Sequence, residues 1–157
     1  MREYPGHAIA AVGAVVVVDG NIILVKRGYP PAKDRWSIPG GVIEAGEKVF
    51  DAARRELYEE TGITANPLGI ILIVNDVVRD VQSNVRYHYL ILDVLFDSRN
   101  IKGIPRAGGD AVDVAWIPLE EALKRNDVSR TTKQLINELI KGRYYLLQVE
   151  EMEFIST

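Results

Sequence analysis

The sequence predicts an α/β fold in which helices cover both faces of a mixed β-sheet. Three observations predict it: β-branched runs near the start of the chain, a helical period over residues 48–61, and a second pair of β-branched runs followed by two helical segments. The order strands, helix, strands, helices is typical of such a layered fold. With 157 residues, of which 47% are apolar and 26% charged, we expect one domain over residues 1–157 with a sizeable core.

The first strands are predicted on either side of a turn formed by Asp19, Gly20 and Asn21. An Asp-Gly pair between two β-branched runs is a strong hairpin signal. The prolines and glycines of residues 28–41 exclude a helix, so this segment is predicted to be a loop that leads to a short strand at residues 36–38.

A helix is predicted over residues 48–61, because its apolar side chains recur at helical spacing. Phe50, Ala53 and Leu57 fall on one stripe, which is expected to face the core. Gly62 follows the last turn, where a glycine commonly ends a helix. This helix is expected to pack on the sheet through that stripe.

The remaining elements are predicted from the strand period of two residues and the helical period of 3.6 residues. We expect strands at 68–78, 85–96 and 112–119, a loop at 102–110, and helices at 119–125 and 131–142. The last helix is expected to be capped by Ser129 or Thr131 and to end at Gly142. The tail at residues 143–157 contains the apolar run YYLLQV, which fits either a further strand or a dimer contact, and we expect a homodimer.

Four glutamates crowd one short segment of the chain. Glu56 and Glu60 lie one helical turn apart, Glu59 lies beside them, and Glu47 precedes the helix. Like charges at this spacing cost a helix roughly 0.2–0.5 kcal/mol per pair. A divalent cation would remove that repulsion, and carboxylate oxygens suit Mg²⁺ or Mn²⁺. Taken alone, such a helix is more often a solvated charged face, so the surrounding pattern decides.

The glutamates belong to a longer frame within residues 41–63. Its fixed positions are Gly41, Glu47, the triplet at 55–57, the pair at 59–60 and the pair at 62–63. From average residue frequencies, a random chain of this length would contain the frame with a chance of about one in ten million. The frame resembles the signature of the Nudix hydrolases and matches it at every fixed position. The resemblance implies an α/β/α sandwich with a mixed sheet, and hydrolysis of a nucleoside diphosphate linked to another group.

The resemblance also implies roles for the residues at these positions. Glu56 and Glu60 would ligate Mg²⁺ or Mn²⁺ directly, together with the carbonyl oxygen of Gly40. Glu59 would bind metal or accept the proton of the attacking water. Water would attack one phosphorus of the diphosphate, so no covalent nucleophile is needed.

Two further residues would support this metal site. Arg55 would hold Glu56 or its neighbours in place through a bidentate pair. Glu47 would orient the loop or Arg55, or would touch the metal through water. Both roles are implied by the resemblance.

The substrate is predicted from three stretches outside the frame. These stretches resemble a branch of the family that acts on ADP-ribose. They are NIILVKRGYPPAKDRWSIPGG, RYHYLILDVLF and RAGGDAVDVAWIPLEEA. Arg27 and Arg86 could each contact a phosphate, or could be ordinary surface arginines. Asp110 could bind the substrate or reach the metal through water, or could be a simple turn residue. No Glu lies between residues 102 and 117, which favours Glu59 as the base.

The adenine of such a substrate would need an aromatic stacking partner. Tyr29, Trp36 and Trp116 could each supply one, and the polar loop at residues 102–113 could bind the terminal ribose. These assignments rest on residue type alone.

Three alternatives stay open. One is a house-cleaning pyrophosphatase for oxidised or non-standard nucleoside triphosphates. Another removes diphosphate from RNA 5′ ends, although the net charge of −3 and the lack of a basic stripe argue against nucleic acid. A third is a non-enzymatic nucleotide-sensing domain, but retention of Glu56, Glu59 and Glu60 argues against it because a sensor needs no base.

The composition and the apolar runs of the sequence indicate where in the cell the protein is expected. The chain has no cysteine, which excludes disulfides and thiolate metal sites. Its longest apolar run, residues 8–18, is about half the length that a membrane-spanning helix needs. The segment MREYPGH lacks the order of charge and apolarity of a signal peptide. We therefore expect a cytoplasmic protein that does not enter the membrane.

Overall fold

The computed structural model describes residues 2–157, in which it forms eight strands and three helices. The strands are β1 (Ile9–Val15), β2 (Val17–Val18), β3 (Asn21–Arg27), β4 (Trp36–Ser37), β5 (Gly40–Val42), β6 (Pro67–Arg79), β7 (Val85–Phe96) and β8 (Ala111–Pro118). The helices are α1 (Val49–Thr61), α2 (Leu119–Lys124) and α3 (Arg130–Lys141). The predicted order of strands and helices is confirmed.

The strands form two sheets. The first has the order β5-β1-β7-β6 and is mixed, because β1 and β7 are parallel while the other pairs are antiparallel. The second joins β2, β3 and β4, with β8 paired to β3, and all of its pairs are antiparallel. The apolar run at the start of the chain passes from one sheet to the other, since Val15 pairs with Leu95 and Val17 with Ile22.

One core lies between α1 and the first sheet. Ala53 and Leu57 are fully buried there against Val12 and Ala14 of β1, and Phe50 packs at the border of this cluster. The predicted apolar stripe of the helix therefore faces the sheet.

A second core lies on the opposite side, where α2 and α3 pack. Leu135 and Ile136 of α3 meet Leu24 and Ile117 of the second sheet and Val15 of β1. Helices thus cover both sides of the β-structure, which confirms the α/β/α sandwich.

The helix ends follow local capping rules. The side chain of Ser129 accepts a hydrogen bond from the backbone N–H of Thr132, so Ser129 is the N-cap of α3. Gly62 and Gly142 end α1 and α3 with φ of 74° and 68°, in the left-handed region that favours glycine. At the start of α1, the Val49 N–H donates to Glu151 Oε1 at 2.9 Å.

The C-terminal tail lies along the free edge of the first sheet. Leu147 and Ile70 exchange two backbone hydrogen bonds of 2.8 and 2.9 Å, as an isolated antiparallel bridge rather than a strand. Tyr145 and Phe154 in this tail are largely exposed. No helix in residues 2–157 has the length and apolar character needed to cross a membrane.

Candidate active site

The candidate active site lies where β5 meets the C-terminal half of α1. The Gly40 N–H donates to Glu60 Oε1 at 2.8 Å, which ties strand to helix. A Cβ added to Gly41 would collide with the carboxylate of Glu56. Glycine at this position therefore lets the backbone of β5 lie directly against the acidic face of α1.

Arg55 organises the outer part of this site. Its Nε and Nη2 donate to the two carboxylate oxygens of Glu47 at 2.8 and 2.9 Å, and its Nη1 donates to Glu56 Oε1 at 2.7 Å. Nη2 also donates to the Val42 carbonyl at 3.1 Å. These hydrogen bonds lower the pKa of Glu47 and raise that of Arg55. The bidentate partner of Arg55 is thus Glu47, and Glu56 receives a single bond.

Glu60 is the most deeply buried acid of the site, with 2% of its side chain exposed. Its Oε2 lies 3.5 Å from Arg27 Nη1, and the same nitrogen donates to the Gly40 carbonyl at 3.4 Å. Burial raises the pKa of Glu60 to about 7; Arg27 opposes this shift, while Glu56 and Asp110 add to it. The pairing of β3 with β8 shifts between residues 26 and 27, and such a bulge can re-aim a side chain.

The remaining two glutamates of α1 differ in exposure. Glu56 is largely buried, and burial raises its pKa despite the neighbouring Arg55. Glu59 is half exposed, and its Oε2 lies 3.5 Å from Arg55 Nη1. The site therefore combines two desolvated carboxylates with a third that reaches solvent.

The acids at this site offer oxygen donors, which are the ligand type of a hard divalent cation. In residues 2–157, no three acidic or histidine side chains converge on a single point as a ready set of metal ligands. Arg55 lies against Glu56 and Arg27 against Glu60, so the arginines supply the opposing charge. Desolvation still disfavours both carboxylates in their charged form. Carboxylate and carbonyl oxygens are the ligands that Mg²⁺ and Mn²⁺ prefer.

A cavity of about 590 Å³ extends from the acidic face of α1 across one face of the first sheet. Arg27, Glu56 and Asp110 lie among its lining residues. The main-chain oxygen of Asp110 accepts a hydrogen bond from the Gly28 N–H at 2.9 Å, which holds this residue beside β3. The volume is in the range of small-molecule sites.

Arg86 is not brought to this cavity. In β7 it alternates with the buried Tyr87 and Tyr89, and its Nη2 donates to Glu3 Oε1 at 2.7 Å. The guanidinium also lies 5.5 Å from the centre of the Tyr87 ring. The period of two along a strand explains this placement, since alternate side chains face opposite sides.

The predicted stacking aromatics also lie outside the cavity lining. Trp36 is buried in the core near α3, Trp116 packs against the core near α1, and Tyr29 is 60% exposed. None of the three lines the cavity of the described chain.

Sequence reasoning missed the residues at the far end of the cavity. Tyr89, Ile91 and Asp93 of β7 line it together with Ile38 and Thr132. The strand period of two was the available signal, because it places Asp93 on the same face of β7 as the buried Tyr87 and Tyr89.

The fold and the acidic face of α1 define a class of enzymes, the pyrophosphohydrolases of the Nudix type. The family model of the NUDIX domain matches residues 7–139, and the chain belongs to this family.

An ADP-ribose pyrophosphatase of Methanocaldococcus jannaschii is 33% identical over 118 residues, which cover 75% of this chain and 66% of that protein. The match thus spans slightly less than two thirds of the relative's length. Among solved structures, a MutT NUDIX hydrolase from Burkholderia pseudomallei has a TM-score of 0.73 at 24% identity, with 85% of this chain and 98% of that chain covered.

A bifunctional NMN adenylyltransferase/ADP ribose pyrophosphatase from Francisella tularensis, complexed with AMP and a Mn ion, has a TM-score of 0.65 at 28% identity. The comparison covers 87% of this chain and 42% of that chain. The matched part is therefore less than half of that bifunctional protein.

Proposed function

We propose that this protein hydrolyses ADP-ribose, or a closely related nucleotide sugar, to AMP and a sugar phosphate. The observation that carries the proposal is the cavity that leads from the acidic face of α1 into a pocket large enough for a nucleoside. The ADP-ribose pyrophosphatase of Methanocaldococcus jannaschii supports the choice of substrate.

In this proposal Glu56, Glu60 and the carbonyl oxygen of Gly40 hold Mg²⁺ or Mn²⁺. When bound, the cation supplies charge neutralisation of the diphosphate and activation of the attacking water. The Mn ion in the Francisella tularensis complex supports a divalent cation at this kind of site. The raised pKa values of Glu56 and Glu60 support it as well, because both carboxylates gain from an added positive charge.

Glu59 is the proposed general base. The oxygen of water forms a new bond to phosphorus, the bridging P–O bond breaks, and Glu59 takes the proton. Its exposure to solvent keeps it within reach of water, while Arg55 lies 3.5 Å away. Glu59 is also more exposed than Glu56 and Glu60 of the same helix.

Arg55 and Glu47 act as positioning residues. Their two short hydrogen bonds fix the guanidinium, whose third donor then orients Glu56. Arg27 is proposed to contact the diphosphate once a cation has taken over its role beside Glu60. Asp110 faces the same space and is proposed to bind substrate, directly or through water. We assign Arg86 no role here, because its guanidinium is engaged by Glu3.

The experiment that tests this proposal ranks kcat/KM over a panel of substrates, with product identification by chromatography. The panel contains ADP-ribose, ADP-glucose, NADH, diadenosine polyphosphates and oxidised nucleoside triphosphates. The proposal expects ADP-ribose to lead and to give AMP and ribose phosphate. If triphosphates lead by tenfold or more and pyrophosphate is released, the house-cleaning alternative is correct and the substrate assignment is wrong.

A second measurement separates an enzyme from a nucleotide sensor. Turnover should vanish in excess chelator and return with Mg²⁺ or Mn²⁺. Tight binding of ADP-ribose without any metal-dependent turnover would instead identify a sensing domain.

A further inference from the structure

Asp93 is a buried acid that the chemistry above does not use. Only 2% of it is exposed, and burial raises its pKa to about 7. Among the side chains of residues 2–157, its Oδ1 is the one buried nitrogen or oxygen without a hydrogen-bond partner. Buried polar atoms are nearly always hydrogen-bonded, so an acceptor left open in a folded protein needs a reason.

The geometry of the sheet directs this carboxylate into the cavity. Asp93 lies with Tyr89 and Ile91 on the face of β7 that lines the cavity. Gly13 lies opposite Asp93 in the parallel pair of β1 and β7. A Cβ on Gly13 would collide with Asp93 Oδ1 and with the Ile38 side chain. A glycine thus leaves the space that the carboxylate fills.

Asp93 lies at the inner end of the cavity, where the core begins. The next inward-facing pair along these strands is Val15 with Leu95, which belongs to the core beside α3. Across the sheet, Gly40 pairs with Gly13 and Gly13 with Asp93. At about 4.8 Å between neighbouring strands, the backbone of Asp93 lies roughly 10 Å from that of Gly40, whose N–H donates to Glu60. A nucleotide with its phosphate at the acidic face of α1 would extend along the cavity towards Asp93.

Two other polar side chains at this end already have partners. Thr132 Oγ1 accepts from the Ile38 N–H at 3.2 Å and from the Ser129 hydroxyl at 2.9 Å. Asp76 is paired with Arg130 at 3.2 Å. An acceptor without a partner beside Ile38 and Ile91 is suited to a flat ring that carries an N–H donor.

We propose that Asp93 accepts a hydrogen bond from the exocyclic amino group of the purine base of the substrate and so determines base selectivity. The inference rests on the nucleotide substrate proposed above. It names a specificity residue at the end of the site opposite to the acidic cluster. An adenine amino group at C6 and a guanine amino group at C2 share this chemistry, and the test separates them.

The test measures nucleoside monophosphate binding by calorimetry in Mg²⁺ at pH 8. AMP is compared with purine riboside 5′-monophosphate, which lacks the 6-amino group, and GMP with IMP, which lacks the 2-amino group. These probes contain no diphosphate, so binding is measured without turnover. We expect one amino nucleotide to bind about 10- to 100-fold more tightly than its partner, the range for a hydrogen bond to a charged group.

Substitutions then assign the selectivity to Asp93. Asp93→Ala should abolish the preference, and Asp93→Asn should reduce it at least about fivefold, because a neutral acceptor is weaker. The matched control is Asp76→Asn, an acid of the same cavity that is already paired, and it should keep the preference. If Asp93→Ala fails to fold by circular dichroism, Asp93→Asn alone decides.

Three results would overturn the inference: no preference in the unsubstituted protein, a preference that survives at Asp93→Asn, or no binding of any of the four nucleotides. Its failure is distinguishable from failure of the proposed function. If ADP-ribose is not hydrolysed in the panel but the base selectivity still depends on Asp93, the proposed function is wrong and this inference is supported. If ADP-ribose is hydrolysed but the base selectivity does not depend on Asp93, this inference is wrong and the proposed function is supported.

Discussion

Replacing Asp93 by asparagine should change the pH dependence of stability in a calculable way. Burial raises the pKa of Asp93 from an ordinary value of 3.8 to about 7. Between these two values the folded protein keeps a proton that the unfolded chain has released. The folded state is therefore increasingly disfavoured as pH rises from 4 to 7, and the loss stays constant above that window.

The magnitude follows from the size of the shift. A shift of about three pKa units at 1.36 kcal/mol per unit corresponds to about 4 kcal/mol. Asp93→Asn has no proton to lose, so its free energy of unfolding relative to the unsubstituted protein should rise by up to about 4 kcal/mol between pH 4 and pH 8. Glu60, whose pKa is also raised to about 7, titrates in both proteins and cancels in the difference.

The assay is urea denaturation without divalent metal, at unit steps from pH 4 to pH 8. Asp97→Asn is a control for which the pKa shift of the replaced acid has the opposite sign, because the pair with Arg99 lowers the pKa of Asp97 to about 2. Its stabilising contribution is present above about pH 4 and disappears as pH falls towards 2, so this variant should be less stable at neutral pH. A stability difference for Asp93→Asn that is flat within about 0.5 kcal/mol over the whole range would refute the reasoning.

The other predictions concern turnover and assembly. Changing Glu56, Glu59 or Glu60 singly to Gln should lower kcat for ADP-ribose by at least about 10²-fold. Circular dichroism should show that each variant keeps its fold. Wild-type rates in all three variants would mean that these glutamates only form a solvated surface of α1. Arg27→Ala should cost about 1.5–3 kcal/mol in kcat/KM, while the ion-paired Arg86→Ala serves as control and should leave it unchanged; equal effects of the two would contradict the assignment. Light scattering should show a homodimer at high micromolar concentration, and a monomer there would remove the dimer hypothesis.

The acidic cluster was predictable because its signal is local. Glu56, Glu59 and Glu60 share one helix, so a period of 3.6 residues places them without knowledge of the fold. The same holds for the Ser129 cap and for the glycines that end the helices. These features depend only on neighbours within a few positions.

Features that depend on pairing between strands distant in sequence were not predictable. Val15 and Val17 are identical in type, yet they pair in different sheets. The strand β5 was not predicted, because it begins with two glycines, which have low strand propensity. Asp93 lies within an apolar run, and its place below the cavity depends on the parallel pairing with β1. Apart from a hairpin turn such as that at Asp19 and Gly20, no local pattern specifies which strand lies alongside another.

The central claim is that Glu56 and Glu60 hold a divalent cation on which hydrolysis depends. The most direct measurement titrates Mn²⁺ into the protein, follows free Mn²⁺ by electron paramagnetic resonance, and records ADP-ribose hydrolysis in the same samples. The unsubstituted protein should bind Mn²⁺, and turnover should rise with the bound fraction. The folded double variant Glu56→Gln/Glu60→Gln should do neither. Equal Mn²⁺ binding by both proteins, or full turnover in excess chelator, would show that hydrolysis does not depend on a cation held by these two glutamates.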